Sequence, residues 1–416
     1  MIETKFKQTE LGPIPEAWET PAIDKLIIAM NDGPFGTKLK QEHYTTKREV
    51  RIVQLGNIGE NGWNDLNIKY TTFEYAKVLS HHLVNPGEVL IAKMMPAGRS
   101  VICPNHESCF IQGSDAIKVR FNDSINTQYF VYGTKSCEYL RIIEENTQGS
   151  TRQRISLIKY RTLPFIVPPI EEQLRIAEAL SDVDKLIREL DTLIEKKRSI
   201  MQGTMQELLT ARRRLPGFNE PWKNIIFGNV VDIYRGGSPR PIDSFITTNS
   251  NGLNWIKIGD VRPNDKYITH TAEKIILEGL PATRMVYAGD FILSNSMSFG
   301  RPYILKIDGC IHDGWLAITK YESSFDKDFL YYLLGSNFVY RQYTTLAAGS
   351  GVLNLNKKVV GNVEFTIPMI DEQQAIASIL SDMDIEIEEL EAKRDKYIAV
   401  RQGMMQQLLT GKIRLI

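Results

Sequence analysis

The sequence predicts an α/β protein in which two mixed α/β globules are joined by two long antiparallel helices that form a coiled coil. Three observations predict this class. The run "IEEQLRIAEALSDVD" from Ile170 returns without a gap as "IDEQQAIASILSDMD" from Ile370. Both runs continue with apolar residues at heptad spacing. The sequence before each run consists of short β-rich stretches broken by Gly, Pro and Asn.

The first globule is predicted over residues 1–169. Strand-like runs such as "VLIA" and "AIKVRF" alternate with turn residues, and one helical run precedes the strand-like "LPFIVP". Pro168 and Pro169 then mark the junction with the first long helix, because proline suits an extended lead-in or a first helical turn.

The first long helix is predicted over residues 170–212. Its apolar positions follow the 4-3 spacing of a coiled-coil seam, with ordinary amphipathic packing against the globules as the alternative. Lys197 and Thr204 interrupt the apolar pattern. The seam positions are Ile176, Leu180, Val183, Ile187, Leu190, Ile194, Lys197, Met201, Thr204 and Leu208.

The second globule, predicted over residues 213–369, repeats landmarks of the first. "NPGEVLI" in the first globule corresponds to "YAGDFIL" in the second, and each precedes a Gly-Arg pair. "LGPIPEAW" likewise corresponds to "LPGFNEPW". The order globule, helix, globule, helix therefore predicts an internal pseudo-twofold repeat.

The second long helix is predicted over residues 370–416, and nearly half of its aligned positions match the first helix. A twofold relation makes the two helices antiparallel, and about 39 residues span roughly 58 Å. Gly203 and Gly403 lie at matched positions, at a cost of about 1 kcal/mol each, which suggests close packing of another element or a local bend. The seam positions are Ile376, Leu380, Met383, Ile387, Leu390, Arg394, Tyr397, Arg401, Met404 and Leu408.

Composition excludes several classes of protein. The chain has no apolar run of the length of a membrane span and no signal-peptide core at its N-terminus, so a cytoplasmic protein without membrane contact is expected. Cys103, His106 and Cys109 lie close together, but no fourth ligand completes a zinc site. Fifty basic residues balance 50 acidic ones, so any affinity for nucleic acid has to come from local patches.

Catalytic motifs are missing from the sequence. It contains no Asp-Pro-Pro-Tyr or Asn-Pro-Pro-Phe tetrapeptide, no Gly-x-Gly cofactor loop after a strand and no Walker lysine motif. Glu195-Lys196-Lys197 has the spacing of a nuclease motif but lies on a heptad-patterned helix. We therefore predict no enzyme activity and no catalytic, cofactor-binding or metal-binding residues.

Several motifs in order carry a resemblance to a known family. Pro168-Pro169-Ile170-Glu171-Glu172-Gln173, followed by Ile176-Ala177, Leu180 and Asp184, fits the pattern that opens the family's helices, although the second copy has Met369 for a proline and Asp371 for a glutamate. "DGPFGTKLK" and "RGGSPRP" resemble the openings of two types of target recognition domain. The chain resembles, over nearly its whole length, the DNA specificity subunits of type I restriction–modification systems.

The resemblance implies a division of labour. Each globule would be a target recognition domain that reads one half of a bipartite, asymmetric site on double-stranded DNA. The helices would set the unread spacer and dock two modification (adenine methyltransferase) subunits, and restriction (translocase and nuclease) subunits would complete the complex. S-adenosylmethionine, Mg²⁺ and ATP are expected only on the partner subunits. The alternative is a non-catalytic coiled-coil adaptor that binds proteins rather than DNA.

Candidate DNA contacts are the polar loops that combine cations, amides, aromatic rings and glycines, although ordinary solvated turns have the same composition. In the first globule they are Gly33, Phe35, Gly36, Lys38, Lys40, Tyr44, Lys93, Arg99, Arg152 and Arg154. In the second they are Tyr234, Arg235, Gly236, Gly237, Ser238, Arg240, Asn295, Ser296, Arg301, Ser350, Asn354 and Lys357.

Candidate residues for docking the partner subunits are polar residues repeated near the start of each long helix. A purely structural role is the alternative, because carboxylates are favourable near a helix N-terminus. These residues are Glu172, Gln173, Asp182, Asp184, Glu372, Gln373, Asp382 and Asp384.

Overall fold

The computed structural model describes residues 5–34, 38–94, 96–149, 153–262, 265–295, 299–347 and 355–416. The chain divides into two compact units. Unit one comprises Met1–Leu190 together with Lys393–Ile416, and unit two comprises Asp191–Ala392. Each unit therefore contains one globule and a part of each long helix.

The globule of unit one combines a four-stranded and a five-stranded sheet with two small hairpins. Its strands are β1 (Phe6–Thr9), β2 (Gly12–Pro15), β3 (Ile27–Asp32), β4 (Tyr44–Thr45), β5 (Val50–Val53), β6 (Ile58–Gly59), β7 (Gly62–Trp63), β8 (Tyr70–Thr71), β9 (Leu83–Val84), β10 (Val89–Ala92), β11 (Ser100–Ile102), β12 (Phe110–Gln112) and β13 (Ala116–Phe121). The sheets have the orders β11-β10-β13-β3 and β4-β8-β5-β12-β9. Its helices are α1 (Phe73–Val78), α2 (Thr127–Gly133), α3 (Cys137–Asn146) and α4 (Leu157–Thr162).

The globule of unit two repeats this plan. After α5 (Ile170–Leu208) come the strands β14 (Lys223–Ile226), β15 (Asp232–Arg235), β16 (Ile246–Thr247), β17 (Leu253–Ile256), β18 (Tyr267–Ile268), β19 (Glu273–Ile275), β20 (Arg284–Val286), β21 (Phe291–Ser294), β22 (Pro302–Leu305), β23 (Gly309–Ile311), β24 (Trp315–Thr319) and β25 (Glu364–Ile367). The two larger sheets have the orders β15-β24-β21-β22-β18 and β16-β19-β17-β23-β20, and β14 pairs with β25. The helices are α6 (Lys327–Leu334), α7 (Asn337–Ala347), α8 (Lys357–Gly361) and α9 (Ile370–Leu408).

The two long helices, α5 and α9, have 39 residues each, as the repeat predicts. They end at Leu208 and Leu408, before the predicted limits of 212 and 416. The reason is local, because Ala211 and Gly411 adopt left-handed φ angles of 56° and 69°, which an α-helix cannot continue through.

Within each unit, the start of one long helix packs against the end of the other. In unit one, Arg401 Nη1 donates to Asp184 Oδ1 at 2.9 Å, while Arg414 contacts Glu172. A residue later in α5, Asp184, thus contacts an earlier residue of the second repeat than Glu172 does, so the pairing is antiparallel. In unit two, Lys197 lies 2.5 Å from a carboxylate oxygen of α9. Two of the polar residues that interrupt the predicted seam, Lys197 and Arg401, thus continue it as ion pairs.

A buried carboxylate at the start of α5 ties three distant segments of unit one together. Glu172 is only 4% exposed. Its Oε2 accepts a hydrogen bond from Trp18 Nε1 at 2.9 Å. Arg414 donates to both of its oxygens, from Nε at 2.6 Å and from Nη2 at 2.7 Å. The bidentate pair neutralises a charge that would otherwise be costly to bury.

Unit two builds the same arrangement from the matching residues. Glu372, 2% exposed, accepts from Trp222 Nε1 at 3.1 Å and from Arg214 at 2.7 and 2.8 Å. In each unit the arginine follows the long helix of the other repeat. We call each Glu-Trp-Arg set a clamp.

The glutamine next to each clamp joins the long helix to its globule. Gln173 Oε1 accepts a hydrogen bond from the backbone N–H of Asn126, the N-cap of α2, at 2.8 Å. Gln373 makes the same bond to Asp326, the N-cap of α6. The structure therefore does not favour docking of a partner subunit through Glu172, Gln173, Glu372 and Gln373. These side chains are at most 4% exposed, and their polar atoms bond to groups within the chain.

The remaining candidates for docking differ in accessibility. Asp182 and Asp382 are exposed, and docking there stays a prediction. Asp184 and Asp384 are half-buried and accept hydrogen bonds at 2.7 Å from the hydroxyls of Tyr132 and Tyr332. Docking at those two carboxylates also stays a prediction.

Close packing at Gly203 and Gly403 is not found. A Cβ atom built at either position would meet nothing within 4 Å, and both residues lie inside continuous helices. The prediction of close packing was wrong, because the two glycines are exposed to solvent rather than pressed against another element.

We expect Gly203→Ala and Gly403→Ala each to raise the free energy of unfolding by about 0.5–1 kcal/mol. Alanine lowers the conformational entropy of the unfolded chain, and the space for its methyl group is open. Urea unfolding measures the change, and Gly98→Ala is the opposite control. Gly98 has a φ of 81° and its Cβ would lie 2.7 Å from Ile143 Cγ1, so that variant should be destabilised.

We expect Glu172→Ala to lower the free energy of unfolding by about 3 kcal/mol, because Arg414 and Trp18 lose their shared acceptor. Amide hydrogen exchange in urea should place the loss in unit one. The matched control is Glu171→Ala, an exposed carboxylate one position earlier, which should change the free energy by no more than about 0.5 kcal/mol. Equal effects of the two variants would contradict the role given to the clamp.

Candidate nucleic-acid interface

Four segments of unit one meet at one end of the four-stranded sheet. The end of β3 contributes Asp32, and the turn after β10 contributes Lys93, whose Nζ donates to Asp32 Oδ1 at 2.5 Å. The backbone N–H of Lys93 donates to the carbonyl oxygen of Asp115, just before β13. The carbonyl oxygen of Lys93 accepts a hydrogen bond from Ile155 N at 3.0 Å. Gly33 N completes the cluster by donating to Ala116 O at 3.1 Å.

Unit two assembles the same cluster with the same backbone bonds. Asn295 N donates to Gly314 O at 3.0 Å, and the Asn295 carbonyl oxygen accepts from Leu355 N at 2.9 Å. Gly236 N donates to Trp315 O at 2.9 Å, the counterpart of the Gly33 bond. The predicted loops of each globule are therefore brought together on a common backbone framework. We call each set a loop cluster.

The side chains on this shared framework differ in charge. Asn295 stands where unit one has Lys93, and Arg235 stands where unit one has Asp32. In unit two, Asn295 Nδ2 donates to Asp313 O at 2.7 Å, and Arg235 Nε lies 3.4 Å from the same carbonyl oxygen. The two loop clusters have the same backbone hydrogen bonds but different side-chain donors and charges. They are therefore suited to two different ligand surfaces.

The structure does not favour direct contact between DNA and Lys93 or Asn295. Lys93 is 5% exposed and Asn295 is 2% exposed, and the donors of both side chains are directed to groups within the chain. Both residues hold the loop cluster in place. Arg99 is half-buried, donates to Leu55 O at 3.2 Å, and has a pKa lowered by the loss of water around its guanidinium.

The glycines of the loop clusters are required by the chain's own backbone. A Cβ at Gly33 would lie 1.8 Å from Gly113 O, and one at Gly236 would lie 2.0 Å from His312 O. At Gly237 it would lie 2.5 Å from Ala282 O. Close approach to phosphate is therefore not needed to explain these three glycines, although it stays a prediction.

The remaining described candidates are accessible to different extents. Tyr44 is half-buried with Lys69 Nζ 5.2 Å from its ring centroid, and Tyr234 has Arg284 at 4.6 Å from its ring. Ser238 Oγ donates to Asp313 Oδ1 at 2.8 Å. The exposed cations are Lys38, Lys40, Arg154, Arg235, Arg240, Arg301 and Lys357. The candidates Phe35, Gly36, Arg152, Ser296, Ser350 and Asn354 lie outside the described residues.

Sequence reasoning missed His312 and Asp313, which organise the loop cluster of unit two. The ring of His312 faces two backbone donors, with Nδ1 2.7 Å from Gly314 N and Nε2 3.1 Å from Ile258 N. Burial lowers the pKa of the imidazole, because the surroundings disfavour its charged form. The "IHDG" turn directly before β24 was the available signal.

The cysteines show no metal site in the part of the chain that the structure describes. No group of three or more His, Cys, Asp or Glu side chains there could hold a metal ion. Burial raises the pKa of the Cys103 thiol to about 12, so this thiol stays protonated near neutral pH. No helix within the described ranges is both long enough and apolar enough to cross a membrane.

Comparison with known sequences finds matches along the whole chain. The family model described as the type I restriction modification DNA specificity domain matches residues 33–197 and 219–398. A Methanocaldococcus jannaschii protein assigned as the type I restriction enzyme MjaX specificity subunit is 24% identical over 438 residues, covering 99% of this chain and 97% of that protein. The MjaVIII specificity subunit of the same organism is 24% identical over 321 residues, covering 71% of this chain and 72% of that protein.

Solved structures show the same fold. The S subunit of a type I restriction–modification system from M. genitalium has a TM-score of 0.57 at 15% identity, covering 94% of this chain and 96% of that one. A chain from a study of assembly and conformational transition in the type I R-M system has a TM-score of 0.60 at 17% identity, covering 96% and 99%. The predicted architecture of two α/β domains and two long helices is confirmed.

We expect unit two to lose stability as the pH falls below about 6.5, the usual pKa of histidine. The pKa of His312 in the folded chain lies below that value. Between the two pKa values the unfolded chain binds more protons than the folded chain, so the contribution of His312 to stability is complete only above about pH 6.5. Thermal unfolding of wild type and His312→Gln between pH 5 and 8 measures the effect, which should be weaker in the variant. The exposed His270→Gln is the control, and parallel curves for wild type and His312→Gln would contradict the assignment.

Proposed function

The chain belongs to the type I restriction modification DNA specificity family, and from that membership we propose that it is the sequence-reading subunit of a restriction–modification complex. Each globule reads one half of a bipartite, asymmetric site on double-stranded DNA. The two long helices set the unread spacer and dock two modification subunits. Restriction subunits bind to that assembly.

The observation that carries the proposal is the pair of loop clusters. Both use the same backbone bonds, and each is held by a buried side chain, Lys93 in one and Asn295 in the other. At the accessible position beside it, one cluster has the half-buried Asp32 where the other has the exposed Arg235. A framework that stays constant while its donors and charges vary can present different groups to base edges and phosphates. We therefore assign each cluster to one half-site.

Affinity for DNA would come from the exposed cations around each cluster. In unit one, the exposed Lys38 and Lys40 follow β3 in the sequence, and the exposed Arg154 lies 4.0 Å from Asp115. In unit two, the exposed Arg235 lies at the cluster, and the exposed Arg240 follows it in the same loop. Local cations of this kind neutralise phosphates even in a chain whose total charge is zero. Binding should therefore weaken steeply as the salt concentration rises.

The chemistry of modification and restriction is assigned to the partner subunits. Members of the family are DNA-recognition subunits. Adenine methylation with S-adenosylmethionine and the ATP-driven steps would therefore take place on other chains of the complex, which would act in the cytoplasm. The alternative of a coiled-coil adaptor that binds only proteins is not supported by the comparisons.

The proposal predicts that the two globules read independently. With the chain and its modification subunit expressed together, single-molecule sequencing of host DNA should show one split methylated motif, and deletion of the chain should erase it. Arg235→Ala should weaken or relax one half of the motif only, and Lys38→Ala should affect the other half. The exposed helix residue Arg175→Ala is the control and should change neither half. Unsplit methylation, or a change in both halves from one substitution, would contradict the proposal.

A further inference from the structure

Each unit carries an open groove between the last turns of one long helix and the helices of its globule. In unit one the groove has a volume of about 750 Å³, and the end of α9 forms one wall while α3 and its N-terminal turn form the other. In unit two a groove of about 590 Å³ lies between the end of α5 and α7. Both grooves are built from equivalent elements of the two repeats.

The helix walls of the two grooves share four identical residues. Gln402, Met405, Gln406 and Thr410 line the first groove, and their counterparts Gln202, Met205, Gln206 and Thr210 line the second. The basic residues Lys412 and Arg212 also correspond. The globule walls differ, with Lys135 and Glu138 in one groove at the positions of Gly335 and Phe338 in the other.

Packing within the chain does not account for the repeated glutamines. Gln202, Gln206 and their counterparts are exposed, and an exposed polar side chain adds little to stability. Other exposed positions of the same helices differ between the copies, for example Leu186 and Glu386, or Leu193 and Lys393. The constant wall is therefore explained by a contact that both copies make with the same kind of molecule.

The charges of both grooves favour an acidic ligand. Four cations face three carboxylates in the first groove, and two cations face one carboxylate in the second. In the first groove, Asp184 is already bonded to Tyr132 and Arg401. Lys135 lies beside the Tyr132 ring, and burial lowers its pKa. A carboxylate brought into this groove would compensate for the water that the lysine has lost.

We propose that the two grooves are equivalent docking sites for two copies of one partner protein, each of which lays an acidic, partly apolar segment against the Gln-Met-Gln wall. The inference rests on the proposed function, in which that partner is the modification subunit. It moves docking from the buried Glu172 and Glu372 to the opposite ends of the helices. The apolar part of the segment would cover Met405 and Leu140 in the first groove, and Met205 and Phe338 in the second.

The test changes the charge of one helix wall at a time. Gln202→Glu with Gln206→Glu alters the second groove, and Gln402→Glu with Gln406→Glu alters the first. Native mass spectrometry of the full chain with the modification subunit counts the bound copies. We expect two copies on the wild type, one on each single-groove variant and none on the variant altered in both. The corresponding Gln→Lys variants should keep both copies.

The chain offers a matched control. Gln407 lies on the same turn of α9 but outside the groove, and its counterpart in α5 is Glu207. Gln407→Glu therefore makes the same chemical change and should leave two copies bound. We expect each variant to fold, because all the changed glutamines except the half-buried Gln407 are exposed. Circular dichroism and thermal unfolding measure this.

The outcomes separate this inference from the proposed function. Two copies bound to every Gln→Glu variant would overturn docking in the grooves and leave the proposed function standing. Two copies together with a loss of DNA affinity would assign the grooves to phosphate contact instead. A wild type that binds no modification subunit, and directs no split methylation, would overturn the proposed function and the docking with it.

Discussion

The structure depends on a carboxylate that is buried at the start of each long helix. Glu172 and Glu372 would each be costly to bury alone, so they require a cation and a further donor in a fixed geometry. Those partners come from far along the chain: Trp18 lies 154 residues before Glu172, and Arg414 lies 242 residues after it. The requirement for charge neutralisation thus joins a globule, its own helix and the end of the other helix. The attachment of the globule to its helix depends on that junction, because Gln173 binds the N-cap of α2 from the adjacent position.

The fold was predictable to the extent that it is written as a repeat. Heptad spacing predicted both helices and the seam, because the period of apolar residues depends only on helix geometry. The helix ends were predicted too late, since a left-handed Ala211 has no clear signal in the sequence. The role of Glu172 was also misjudged. Its helix-starting position has several explanations, and the distant arginine that decides between them cannot be found from local sequence.

The candidate site was predictable as a set of loops rather than as a set of contacts. The sequence identified Gly33, Lys93, Gly236 and Asn295, and the structure brings each into a loop cluster. Their supporting roles could not be predicted, because burial and backbone crowding are properties of the folded chain. Lys93 and Asn295 hold the loops, and the glycines make room for neighbouring carbonyl oxygens. A protein that must change its ligand while keeping its fold benefits from such a separation between supporting residues and exposed ones.

The division of the chain into units has a consequence for its synthesis on the ribosome. Unit two is one continuous segment, Asp191–Ala392, whereas unit one needs Lys393–Ile416 for its completion. The first globule therefore emerges first but is completed last, because Glu172 has its partner cation only once Arg414, 242 residues later, has been synthesised. A product terminated before that point lacks one of its two clamps. Completion of unit one therefore follows the synthesis of the whole of unit two, so the earlier globule is closed by a later segment of the chain.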